Sequence, residues 1–141
     1  MMLGPYDLPG AYTGDAVDMM HKIPDGSIHC CITSAPHWGL RSYLDPDDPD
    51  KARELGAEAT PDQYVASMVR VFREVRRVLR DDGTCWLNLG DSYNGSSGSG
   101  GATAKQQTNK GRYHPGGARR APGLKPKDLC LVPYRVALAP V

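Results

Sequence analysis

The sequence predicts an α/β fold built on a parallel sheet that is incomplete within these residues. Two apolar strands at 27–33 and 84–89 are separated by a strongly amphipathic helix at 60–79. Short turns join helix to strand, and that order suggests a right-handed crossover between neighbouring parallel strands.

Each element has a local reason. In residues 27–33, Ile28, Cys30 and Ile32 fall on one face and His29, Cys31 and Thr33 on the other. Apolar residues on both faces suit a buried parallel strand. Thr60-Pro61-Asp62-Gln63 is a capping box with proline at the first helical position. Tyr64, Val65, Met68, Val69, Phe72, Val75, Val78 and Leu79 then recur at helical spacing. Arg70, Arg73, Arg76, Arg77 and Arg80 crowd the opposite face and read as a solvated one. Asp81-Asp82-Gly83 should end the helix, and Cys85, Leu87 and Leu89 alternate in the strand that follows.

The remaining chain is plainer. Residues 1–12 read as an irregular lead-in. A short helix at 16–22 has Asp15 as its N-cap. Residues 44–59 form an acidic excursion of undefined structure. Residues 127–139 read as helical, with Pro133 in the first turn or at a kink. Two strands and two or three helices do not close a sheet covered on both faces. The expected reading is half of a domain, or a domain completed by a second chain.

Composition narrows the function. The 141 residues carry a net charge of +1, but the charges are segregated. Residues 45–62 hold seven acids against Lys51 and Arg53; residues 105–127 hold seven bases and no acid. A basic segment rich in Gly and Ser, at about 92–123, reads as a flexible loop suited to a polyanion or simply to solvent. Its run Gly95-Ser96-Ser97-Gly98-Ser99-Gly100-Gly101 lacks a P-loop lysine at the required spacing. Cys30, Cys31, Cys85 and Cys130 have no metal-clip spacing, so no metal is expected. They read as buried, reduced thiols of a cytoplasmic protein, with no membrane span.

The chemistry-bearing stretch is Ser34-Ala35-Pro36-His37-Trp38-Gly39, directly after the first strand. Ligands of open α/β sheets bind beyond the carboxyl ends of strands. A proline-restrained loop there can aim carbonyls and a polar side chain at one point, beside a flat ring. Those parts suit an exocyclic amine on a base.

The stretch resembles motif IV of the amino-methylating DNA methyltransferases, Asp/Asn/Ser-Pro-Pro-aromatic. Thr33-Ser34-Ala35-Pro36-His37-Trp38-Gly39-Leu40-Arg41-Ser42-Tyr43 is similar to their Thr-Ser-Pro-Pro-Tyr-Trp-Gly-Leu-Arg-Asp-Tyr run, in the group where this motif precedes the cofactor motif. The similarity takes in Gly14-Asp15, the stretches 55–61 and 77–93, and Gly123-Leu124-Lys125-Pro126-Lys127-Asp128-Leu129.

The resemblance implies the amino-terminal catalytic part, residues 1–141, of a site-specific enzyme of a restriction-modification system. It implies a partial Rossmann-like, S-adenosylmethionine-dependent methyltransferase fold. Methyl would pass from S-adenosylmethionine to N4 of cytosine or N6 of adenine in double-stranded DNA. Ser34, Ala35, Pro36 and His37 would be the catalytic positions. Asp15 and Ser34 would contact the cofactor, with the N-cap reading of Asp15 equally open. Lys110, Arg112, Arg119, Arg120 and Lys125 would contact DNA. Trp38 and Tyr43 are core or wall, and Asp91 reads as a turn residue.

Three departures stand out. Alanine replaces a proline at 35 and histidine replaces an aromatic at 37, which predicts reduced activity. The family's Phe-x-Gly-x-Gly cofactor loop is absent from the sequence, so tight cofactor binding by these residues alone is not expected. The alternative is an inactive remnant that at most binds DNA. Related Asn-Pro-Pro-Tyr enzymes modify RNA bases and protein glutamine; serine at 34 and the Trp38-Gly39-Leu40-Arg41 continuation favour DNA, with a slight tilt toward cytosine.

Overall fold

The fold is that of a computed structural model, which describes residues 1–39, 42–45, 47–95 and 121–140. It is α/β with a short parallel sheet. Strand β1 (Met2–Leu3) pairs antiparallel with β2 (Tyr6–Asp7). Helix α1 (Ala16–Met20), strand β3 (Ile28–Ser34), helix α2 (Pro61–Val78), strand β4 (Leu79–Asn88) and helix α3 (Val132–Leu138) follow. A 3-10 turn spans Lys51–Arg53. The chain divides into two compact units. The first contains Met1–Ser34 and Met68–Asn88; the second contains Ala35–Ser67 and Leu89–Ala139.

In the first unit, β3 and β4 pair in parallel, Cys31 opposite Cys85, Ile32 opposite Trp86 and Ser34 opposite Asn88. The amides of Gly26 and Ser27 donate to the last carbonyls of α2, at Arg77 (3.0 Å) and Val78 (2.9 Å). The entry to β3 thereby satisfies carbonyls that a helix end leaves unpaired. Arg77 is more than a solvated charge. It pairs with Asp25 and with Glu74 (2.8 Å), and donates to the carbonyls of Ile23 (3.0 Å) and Met20 (2.7 Å).

Several expectations need correction. The lead-in is a small hairpin rather than irregular chain. The strand at 27–33 is parallel but not buried. Its Cys30–Ile32 face is open, and Ile32 is 81% exposed beside Trp86 at 65%. Pairing begins at Leu79, and Asp81-Asp82-Gly83 is a bulge inside β4 instead of a turn before it. Leu79 meets Ile28 and Thr84 meets Cys30, so residues 80–83 loop out of register. Helix α3 starts at Val132, not 127. Lys127 and Leu131 take positive φ (72° and 58°), which breaks helical continuity, and Pro133 falls in the first turn where its missing amide costs nothing. Of the thiols only Cys130 is buried; Cys30 and Cys85 are exposed and Cys31 is half-buried.

In the second unit, Trp38, Pro61, Tyr64, Cys130, Val132 and Val136 are buried. The acidic excursion is ordered around Glu54. Its carboxylate takes Lys51 Nζ at 2.6 Å, Ser42 Oγ at 3.1 Å, the Leu44 amide at 3.2 Å and the Tyr43 amide. Burial alone would raise the Glu54 pKa, but Lys51 and these donors hold it below the usual carboxylate value.

Among the described residues no helix is long and apolar enough to cross a membrane, and no group of three or more His, Cys, Asp or Glu side chains could hold a metal ion.

Candidate functional site

Ser34 is the last residue of β3, exposed, with Asn88 as its ladder partner. The chain then passes directly into Ala35-Pro36-His37-Trp38, which the second unit holds from several sides. Tyr64 Oη donates to the Pro36 carbonyl at 2.9 Å. Trp38 Nε1 donates to the Glu58 carbonyl at 2.9 Å, and Ser92 Oγ donates to the Trp38 carbonyl at 3.0 Å. The Gly39 amide reaches the Gly56 carbonyl at 2.9 Å. Trp38, 2% exposed, is a core residue, whereas Tyr43 is 65% exposed.

Two glycines permit the close packing of this loop. Gly56 has φ +86°, and a Cβ there would lie 2.9 Å from the His37 carbonyl oxygen. A Cβ at Gly90 would lie 2.8 Å from His37 Nδ1 and 2.9 Å from Cε1. The His37 ring therefore rests against the Gly90 backbone, which sets its position.

The first turn of α2 delivers Tyr64. The capping box forms as expected, with the Gln63 amide to Thr60 Oγ1 at 3.2 Å and the Thr60 amide to Gln63 Oε1 at 3.3 Å. Arg135 of α3 binds Asp62 at 2.7 Å. Tyr64 is fully buried, and desolvation, helped by the nearby Glu58 carboxylate, raises its pKa. It stays a neutral donor across the working pH range.

Asp91 is a helix-end ligand as much as a turn residue. Its Oδ1 accepts from the amides of Ser92 (2.8 Å) and Val132 (3.0 Å). Asn94, 2% exposed, fastens the segment after β4 to the segment at 121–128. Its side chain binds the carbonyls of Leu124 (2.7 Å) and Lys125 (3.1 Å) and the Ala121 amide (2.7 Å). Its backbone adds bonds to Asp128 and Lys127.

The other predicted site residues are dispersed. Asp15 caps α1, its Oδ1 taking the Val17 and Asp18 amides at 3.0 Å each. Lys125 is exposed. Lys110, Arg112, Arg119 and Arg120, with Leu40, Arg41 and most of the basic loop at 92–123, lie outside the described residues. Sequence reasoning missed Gly56, Tyr64, Gly90, Ser92 and Asn94 as parts of the loop's surroundings. Tyr64 was visible only as one apolar position among eight at helical spacing, of which α2 holds seven. Gly56, Gly90 and Ser92 lay within stretches already carrying the resemblance, and Asn94 lay just beyond one, with no signal of contact.

A profile of the DNA methylase family, covering N6 and N4 enzymes, matches residues 28–129, which include the whole loop and its clamps. The chain belongs to this DNA methylase family. It is 41% identical over 128 residues to type II methyltransferase M.XycI of Xanthomonas campestris pv. cyanopsidis, covering 91% of this chain and 40% of the relative. It is 40% identical over 138 residues to type II methyltransferase M.Cfr9I of Citrobacter freundii, covering 96% and 43%. It is 43% identical over 128 residues to type II methyltransferase M.SmaI of Serratia marcescens, covering 89% and 40%. This DNA methylase sequence thus spans about two-fifths of the length of these relatives. No solved structure matches it significantly.

Proposed function

We propose that the chain is the amine-binding part of a site-specific DNA methyltransferase that modifies N4 of cytosine or N6 of adenine. The observation that supports this reading best is the placement of Ser34-Ala35-Pro36-His37 at the carboxyl end of a parallel strand, in a chain of the DNA methylase family. Ser34 Oγ and the Ala35 carbonyl would accept from the target amine. Holding the hydrogens of that amine favours pyramidal nitrogen and exposes its lone pair. His37, braced on Gly90, would stack on the flipped base.

The family implies S-adenosylmethionine, whose sulfonium supplies an electrophilic methyl group when bound. The two residues proposed to contact it fit it poorly. Asp15 and Ser34 are both exposed, and the Asp15 carboxylate is engaged in capping α1. A cationic donor needs a more enclosed cradle than this pair provides. On this reading the donor is held chiefly by polypeptide equivalent to the three-fifths of the relatives that the chain does not match. That polypeptide would also complete the Rossmann-like sheet over Ile32 and Trp86, whether it is covalently continuous with this chain or a second chain.

Double-stranded DNA is the proposed partner, contacted through Lys110, Arg112, Arg119, Arg120 and Lys125 in a basic loop at about 92–123. Relatives named as type II methyltransferases favour a restriction-modification setting and a cytoplasmic location. The departures at Ala35 and His37 favour a second reading, an inactive remnant that binds DNA.

The test mixes the chain with the complementary part of M.XycI, labelled S-adenosylmethionine and duplex DNA. Label should enter the DNA only with both parts present, and digestion should identify N4-methylcytosine or N6-methyladenine. The double variant Ala35→Pro, His37→Tyr should raise incorporation. No label with either version, together with a salt-dependent DNA shift by the chain alone, would leave only the remnant reading.

A further inference from the structure

Proline restrains the loop at position 35 in the resembling enzymes, and this chain has alanine there. Alanine frees φ at 35 while Pro36 still keeps its ψ extended, so the sequence alone suggests a loosened loop. The surroundings say otherwise. The Pro36 carbonyl, one peptide beyond Ala35, receives the hydroxyl of a fully buried tyrosine at 2.9 Å. That tyrosine sits on the first turn of an 18-residue helix whose start is fixed by a reciprocal capping box and by Arg135 on Asp62. A hydrogen bond from a fully buried hydroxyl is strengthened by its low-dielectric surroundings and is costly to break. It fixes the plane of the Pro36–His37 peptide. The bonds at Trp38 and Gly39 then fix the next two residues.

We propose that Tyr64 is a positioning residue, holding the Ala35-Pro36-His37 loop by its bond to the Pro36 carbonyl and so replacing the restraint that a proline at 35 would give. The proposal rests on the reading that this loop receives the target amine, and Tyr64 itself touches no reacting atom. It places the Ala35 carbonyl and the His37 ring at a fixed spacing without a second proline. Ser92 and Glu58 act in the same clamp at Trp38, but among the described residues only Tyr64 donates a hydrogen bond within the Ala35-Pro36-His37 segment.

The test is hydrogen exchange followed by NMR on the 141-residue chain. The reporters are the Gly39 amide and the Trp38 indole N–H, which tie the loop to the Gly56 and Glu58 carbonyls, with the β3–β4 ladder amides as controls. Tyr64→Phe removes one oxygen. It should speed exchange at both reporters about tenfold, leaving the ladder unchanged. Adding Ala35→Pro to Tyr64→Phe should restore most of the protection, a coupling that a merely structural tyrosine would not show. Unchanged reporters in Tyr64→Phe, or equal losses with alanine and proline at 35, would overturn the clamp. Should the variant fail to fold, the unaltered chain decides: the Tyr64 hydroxyl proton should give a slowly exchanging resonance with cross-peaks to Pro36, and fast exchange of that proton defeats the idea. Methyl transfer by the completed enzyme separates the two layers. If the clamp behaves as expected but Tyr64→Phe leaves methylation untouched, the clamp stands and the assignment of the loop to the amine falls.

Discussion

At Gly56 a single hydrogen atom decides whether the loop can close. Alanine there would have to hold φ at +86° and place its Cβ 2.9 Å from the His37 carbonyl oxygen. Both penalties fall on one residue, so Gly56→Ala should destabilise by about 2 kcal/mol or more, read from urea unfolding. Gly90→Ala acts differently, because its new methyl meets a side chain that can rotate. The His37 ring should leave its seat with little loss of stability, seen as shifted imidazole resonances and an unchanged unfolding midpoint. Cys31 offers a residue-scale test in unit 1. Burial, reinforced by the neighbouring Cys85, pushes its pKa up to about 11 from 9.0. Its thiolate fraction near pH 8 is about 100-fold below that of an unperturbed thiol. Alkylation by iodoacetamide, mapped by mass spectrometry, should be slower at Cys31 by about that factor. The same shift makes the folded state hold its proton longer than the unfolded state, so stability contributed here is present below pH 9 and fades between about pH 9 and 11.

Elements are joined by a few buried polar residues. Asn94 binds three backbone groups, at Ala121, Leu124 and Lys125. Asn94→Ala would leave the Leu124 carbonyl and the Ala121 amide without these partners and the Lys125 carbonyl with the Asp128 amide alone, a cost of about 3 kcal/mol. Circular dichroism melts should show the loss, and Asn94→Asp should recover only part of it, since a carboxylate cannot donate to Leu124 and Lys125. Glu54 does the same for the acidic excursion. Its folded pKa is depressed, so its contribution is present above the normal carboxylate pKa and is lost as pH falls through the lower folded value. Glu54→Gln should remove about 2 kcal/mol at pH 7 and flatten the acid side of the stability profile.

At the scale of the whole molecule, the open β3–β4 face carries the main consequence. Parallel sheets are covered on both faces, yet Ile32 and Trp86 stand in solvent. Addition of the complementary polypeptide should shift Trp86 fluorescence to the blue, in a Trp38→Phe background that removes the other indole. An unshifted spectrum in a mixture that methylates DNA would show that the cover goes elsewhere. Much of the architecture was legible beforehand. The capping box at Thr60 and the 3.6-residue rhythm placed α2 correctly at its start, because both signals are local. The existence of β3 and β4 was legible for the same reason, whereas the β1–β2 hairpin was not. Which face of β3 is covered was not, since Ile28, Cys30 and Ile32 look as buriable as Cys31 and Thr33, and only the neighbouring strand and helix choose between them.

The loop after β3 shows the same division. By itself the sequence determined that Ser34-Ala35-Pro36-His37 follows a strand and that its neighbours are those of the DNA methylase family, because residue order carries descent and local propensity. It also pointed to a loosened loop, since alanine lacks the ring that fixes φ. Only the tertiary structure decided that Tyr64, 28 residues away on α2, binds the Pro36 carbonyl, and that Gly56 and Gly90 leave room for His37. Restraint from a covalent ring is written at one position. Restraint from a buried hydrogen bond exists only once distant segments have folded against each other.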